Sequence, residues 1–189
     1  MPTQYLFQDK PPKVIPDKLF IDTSILLRLI IPALDQKSLD IKNHVENLFK
    51  FLGSNNKELA TTTGIIQETV FKIIDTLVKT ELYKQRKTAK EISGWTRLEY
   101  KNCKEIISKY LPLVERFYKS INIDYGFTVY QECHNEGLKY MKRYYLLPRD
   151  AFFVAKAINE NAPIMALDRD YNCINELSAI YIPIPKKIN

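Results

Sequence analysis

The stretch Lys18-Leu-Phe-Ile-Asp-Thr-Ser24 decides the reading of this chain. Four residues of β-prone, largely apolar character are followed at once by an acid and two hydroxyls. A run this short, with no polar alternation, predicts a strand buried on both faces, as in a parallel sheet. An acid just past its carboxyl end lies where open α/β sheets collect ligands.

Working outward, Leu59–Thr62 reads as a second strand. From Ile66 the apolar positions Ile66, Val70, Ile73, Ile74 and Leu77 follow a helical stripe, with Glu68 placed in the first turn. Upstream, Leu39, Val45, Leu48 and Phe49 predict a helix over Ser38–Phe51, closed by Gly53 and Asn55-Asn56. A second long helix is expected over Thr96–Tyr118, kinked or divided by Pro112. Ile121–Ile123 reads as a brief strand, and Thr128–Tyr145 as a helix broken near Gly137. After Pro148, Asp150 opens a helix over Ala151–Asn159. Ile164–Leu167 and Ile180–Ile184 complete the strands, the latter marked as an edge by Pro183. Alternating strands and helices imply an α/β fold: a mostly parallel central sheet with helices on both faces.

Residues 1–17, with Pro2, Pro11, Pro12 and Pro16, read as an extended N-terminal arm, and 18–189 as one domain. Met1–Lys10 lacks a basic start followed by an apolar block, and the apolar run from Ile25 to Leu34 is interrupted by Arg28 and Pro32. A secretory leader and a membrane span are therefore not expected, which predicts a cytoplasmic protein. Three cysteines and two histidines without zinc-ligand spacing exclude a disulfide framework and a zinc site. Net charge is +6, and residues 79–119 hold 11 basic against 5 acidic residues, so the rest of the chain is neutral. An electropositive segment beside an acidic cluster suits an enzyme acting on nucleic acid. Its candidate contacts are Lys84, Arg86, Lys87, Lys90, Arg97, Lys101 and Lys104, with Trp95 (and Tyr83 and Tyr100) available to stack on bases. The bland alternative is a solvated helix face with core aromatics.

Four acids recur at structurally equivalent places. Asp22 and Asp168 end strands; Glu68 and Asp150 sit near helix starts. Each has an ordinary explanation. Asp22 and Asp150 suit helix caps, Glu68 complements a helix dipole, and either Asp168 or Asp170 suits a solvated turn. Jointly they predict a carboxylate nest at one sheet edge, which needs a cation to be stable. Hard oxygen donors select Mg²⁺ or Mn²⁺ over zinc.

These pieces resemble the PIN domain, the nuclease fold of VapC-type toxins in toxin–antitoxin pairs. The matching segments are Phe20-Ile-Asp-Thr-Ser24, Ile65-Ile-Gln-Glu68, Asp150-Ala-Phe-Phe-Val-Ala-Lys-Ala157 and Ile164-Met-Ala-Leu-Asp-Arg-Asp-Tyr171, in order over most of residues 18–184. The resemblance implies a Rossmann-like three-layer PIN fold and metal-dependent hydrolysis of RNA phosphodiesters. By position it implies that Asp22, Asp150 and Asp168 face the metal, that Glu68 acts through water, and that Ser24, with Thr23 and Asp170, supports the site. An antitoxin partner and a homodimer are implied by the same resemblance. Ala166 stands where the family often has Thr or Ser, and the region between the Glu68 helix and Ile121 looks enlarged, a basic helical clamp over about 79–120. Those departures keep open a non-cleaving PIN-fold RNA-binding or scaffold protein, and, ranked lower, a structure-specific DNA nuclease. A Mg²⁺ phosphatase fits worse, because its nucleophile motif needs an acid where Ser24 stands.

Overall fold

The computed structural model describes residues 2–7, 15–31, 36–95, 104–167 and 170–183. Among the described residues six strands form a single parallel sheet: β1 (Thr3–Phe7), β2 (Lys18–Ile21), β3 (Glu58–Thr62), β4 (Thr128–Tyr130), β5 (Ile164–Met165) and β6 (Ala179–Pro183), in the order β1-β6-β5-β2-β3-β4. Described helices are α1 (Thr23–Ile30), α2 (Gln36–Ser54), α3 (Thr63–Lys84), α4 (Ala89–Ser93), α5 (Lys104–Lys119), α6 (His134–Tyr144) and α7 (Pro148–Asn159).

The central strand is buried on both faces, as its composition demands. Leu19, Phe20 and Ile21 are wholly inaccessible. Phe20 meets Phe153 of α7 edge-on at 5.9 Å, so by the two-residue period of a strand Leu19 and Ile21 face the opposite layer. Helices thus cover both sides, giving a three-layer α/β architecture.

Local chemistry sets the helix boundaries. Asp22 caps α1 by accepting from the Ser24 amide, and Thr62 caps α3 through the Ile65 amide. Thr88 and Glu91 form a reciprocal capping box on α4. Pro148 opens α7 at a position where a missing N–H costs nothing.

Several sequence expectations change here. The arm is built into the sheet: β1 runs parallel to β6, with Thr3 opposite Ala179 and Phe7 opposite Pro183. β6 is consequently an interior strand, with Pro183 at its last position. Ile121–Ile123 belongs to a π-helical turn over Ser120–Asp124, and the fourth strand is instead Thr128–Tyr130. α3 starts at Thr63, so Glu68 lies in its second turn. The helix containing Pro112 is described from Lys104 onward and continues through the proline to Lys119.

Candidate active site

From β2 the chain moves to β3, on one side; from β5 it moves to β6, on the other. The gap between β2 and β5 is therefore the topological switch point, where helices diverge and leave a crevice at the carboxyl edge. Asp22 sits there, held by its own amide donating to Met165 O at 3.0 Å. The Leu167 amide donates to Ser24 Oγ at 3.0 Å, so the end of β5 is laced to the start of α1.

A cleft of about 190 Å³ opens at this point, and its lining includes Asp22, Ser24, Glu68, Lys72, Arg149 and Asp150. Thr23, Asp170 and Tyr171 also line it. Three of the four expected acids thus share one cleft, although they are 46, 82 and 128 residues apart in sequence taken pairwise. Asp168 lies outside the described residues.

The acids differ in surroundings. Asp22 is 3% exposed; one carboxylate oxygen accepts from the Ser24 amide at 2.9 Å and the other from Tyr171 OH at 2.7 Å. It is a helix cap and a cleft residue at once, so the two readings of Asp22 do not compete. Asp150 occupies the first turn of α7, where Leu147 rather than Asp150 is the cap residue. Burial pushes its carboxyl above the ordinary range; the Arg149 guanidinium pulls it back, Asp22 and Glu68 raise it further, and Lys72 lowers it. Those mutual influences make the three acids electrostatic neighbours.

Glu68 is 8% exposed and saturated. Oε2 accepts from Thr23 Oγ1 at 2.5 Å, while Oε1 lies 2.7 Å from Lys72 Nζ and 2.8 Å from Arg149 Nη2. Two cationic side chains of the protein therefore already balance Glu68. Among the described residues no three His, Cys, Asp or Glu side chains are grouped so as to hold a metal ion. Asp22 and Asp150 remain hard oxygen donors of the right chemistry for Mg²⁺ or Mn²⁺; Glu68, with both oxygens engaged, does not fit that role in this arrangement.

Sequence reasoning overlooked Arg149, Lys72 and Tyr171. Lys72 had a signal, four residues after Glu68 on one helix. Arg149 had only its place beside Asp150, and Tyr171 had none.

The described start of the basic segment lies away from the cleft. From Glu68 to Lys84 along α3 is about 24 Å at 1.5 Å per residue. Lys84 is well exposed, and Lys87 pairs with Glu91 at 3.5 Å. Arg86, at φ 58°, forms the turn after α3, and Lys90 lies on α4. Trp95 is not a stacking platform: it is 4% exposed, packs with Val78, Leu82 and Ile92, and donates its indole N–H to Asp75 at 2.7 Å. Tyr83, at 66% exposure, is open to solvent. Arg97, Tyr100, Lys101 and the Lys104 side chain lie outside the described residues.

No protein-family model matches the chain, and no curated protein does. Solved structures similar to it include PAE2754 from Pyrobaculum aerophilum, at 15% identity and TM-score 0.47 over 87% of this chain and 83% of that one. Another is VapBC2 from Rickettsia felis bound to a DNA fragment from its promoter, at 13% identity and TM-score 0.49 over 87% and 98%. A third is Mycobacterium tuberculosis VapC20, a sarcin–ricin loop cleaving toxin, at 14% identity and TM-score 0.49 over 85% and 97%. In outline this chain resembles them. No described helix is long and apolar enough to cross a membrane.

Proposed function

We propose that this chain is a metal-dependent endoribonuclease of the PIN type, acting as a VapC-like toxin in the cytoplasm. The observation that carries this reading is the convergence of Asp22, Glu68 and Asp150 on one cleft at the switch point of a parallel sheet. Asp22 and Asp150 would hold Mg²⁺ or Mn²⁺, with Asp168 as the remaining acid. When bound, such an ion activates water and stabilises the leaving oxygen in attack on phosphorus. The residues of the chain orient that chemistry: Tyr171 and the Ser24 amide fix the Asp22 carboxylate, and Ser24 ties β5 to the site. The motif resemblance to VapC toxins supports an antitoxin protein as partner and a homodimer.

The test is cleavage of single-stranded and structured RNA with Mg²⁺ or Mn²⁺, compared with EDTA. Asp22→Asn and Asp150→Asn are each expected to lower the rate by at least about 100-fold while leaving circular dichroism unchanged. Undiminished cleavage in both variants removes the assignment. A second reading, an RNA-binding PIN-fold protein that does not cut, is favoured by Ala166 and by the saturation of Glu68. RNA binding with no metal-dependent product would select it.

A further inference from the structure

A phosphodiester strand is an anion, and the cleft presents the carboxylates of Asp22, Glu68, Asp150 and Asp170 to it. Positive charge inside the cleft therefore favours binding, and Lys84, at the far end of α3 about 24 Å from Glu68, is too distant to supply it. Two cations are there. Lys72 projects from the same helix as Glu68, and Arg149 from the first turn of α7, so both approach Glu68 Oε1 from different elements. Their side chains stay 48% and 34% exposed although they grip a carboxylate that is only 6% exposed.

The geometry separates anchor from tips. Glu68 is fixed by the Thr23 hydroxyl at 2.5 Å, and Thr23 is itself in the first turn of the helix that Asp22 caps. An ammonium has three donors and a guanidinium five. Each ion pair to Oε1 leaves donors over, and the cleft lining includes both side chains. Arg149 Nε is buried without a hydrogen-bond partner among the described residues and lies 3.6 Å from Asp150 Oδ1.

We propose that Glu68 is a positioning residue, and that it holds Lys72 and Arg149 as an anion clamp for a backbone phosphate of the nucleic-acid strand. The inference rests on the nuclease reading and gives Glu68 a different task from the three aspartates. Charge-assisted hydrogen bonds from a fixed pair of cations recognise phosphate well, because the fork and the ammonium are oriented before the ligand arrives. The clamp also brings two positive charges to a cleft lined by four acidic side chains.

The experiment measures binding of a fluorescein-labelled single-stranded RNA of about 12 nucleotides to the full chain in EDTA, by anisotropy over a series of salt concentrations. Arg149→Gln and Lys72→Gln are each expected to weaken binding by about 10-fold, the loss of one charge-assisted contact. Each should also make the slope of log affinity against log salt shallower by about 0.7, the value for one single-strand phosphate contact. Arg149→Lys should keep the natural slope with reduced affinity, since charge persists and the fork does not. Melting curves check that each variant is folded; Lys72, half exposed, supplies a mild substitution if Arg149→Gln fails to fold. Wild-type affinity and slope in both Gln variants overturn the clamp, as does absence of salt-dependent binding in the natural protein. The two readings fail differently. Loss of the clamp alone leaves cleavage that depends on Asp22 and an unchanged KM in Arg149→Gln. Loss of the nuclease reading leaves salt-dependent binding with no metal-dependent product.

Discussion

Asp22 and Asp150 share a cleft but not an environment. Asp22 is offset by two donors at hydrogen-bond distance, whereas Asp150 has a guanidinium no closer than 3.6 Å in its recorded ion pair and two acids nearby. With its carboxyl raised in the fold, the native state keeps the Asp150 proton at pH values where the unfolded chain has lost it. Stability therefore falls as pH rises through the window above the ordinary value of 3.8. Asp150→Asn removes that cost. The variant is expected to melt higher than the natural protein at neutral pH, with the gap closing as pH falls below 3.8; calorimetry across pH checks this, and an equal gap at all pH values contradicts it. Glu68→Gln should act in the opposite sense. It leaves Lys72 and Arg149 without their shared partner, and a loss of about 1–2 kcal/mol is expected in urea unfolding, moderated by the exposure of both cations. Asp22 was legible in the sequence, because capping and strand-end signals are local. The cationic partner on Glu68 from α7 was not, since nothing local relates residue 149 to residue 68.

At the scale of elements, the packing of α6 on α7 has a specific requirement. A Cβ built on Gly137 would lie 1.9 Å from Cδ1 of Phe152, a ring that also meets His134 edge-on at 4.7 Å. The glycine expected to break a helix is instead the close-approach point between two helices. Gly137→Ala is predicted to destabilise by about 1–3 kcal/mol through overpacking, despite the better helix propensity of alanine. Denaturant midpoints measure it. At the other end of α7, Lys18 gathers Tyr130 OH at 2.7 Å, Glu160 at 3.1 Å and Glu58 at 3.3 Å. The Tyr130 hydrogen bond, followed by those to Glu160 and Glu58, outweighs burial and raises the Lys18 ammonium above its ordinary value. This contribution is present at neutral pH and is lost only on strong alkalinisation. Lys18→Met is expected to cost about 1 kcal/mol and to loosen the register of α7 against β2, visible as faster amide exchange in residues 156–160.

At the scale of the molecule, the first strand closes the sheet. β1 covers β6 along Thr3–Phe7, and Tyr5 stacks on Tyr181 at 5.0 Å. Removing residues 1–7 would turn β6, all five of whose residues are buried, into an exposed apolar edge. Such an edge pairs with copies of itself. The truncated protein is expected to self-associate in light scattering at concentrations where the full chain does not. The pairing was invisible beforehand because parallel partners about 175 residues apart leave no local signature.

The buried strands Lys18–Ile21 and Leu59–Thr62, the α/β class, Asp22 at the end of a strand and Asp150 in the first turn of a helix were all legible in the chain. Those features rest on short-range chemistry: apolar runs, caps and the period of the backbone. Tertiary structure decided which charges meet. It placed Arg149 and Lys72 on Glu68, turned Trp95 inward onto Asp75, and set Tyr171 against Asp22. Electrostatic partnership depends on distances of a few ångströms between elements, and only the folding of the sheet with its layers fixes those distances.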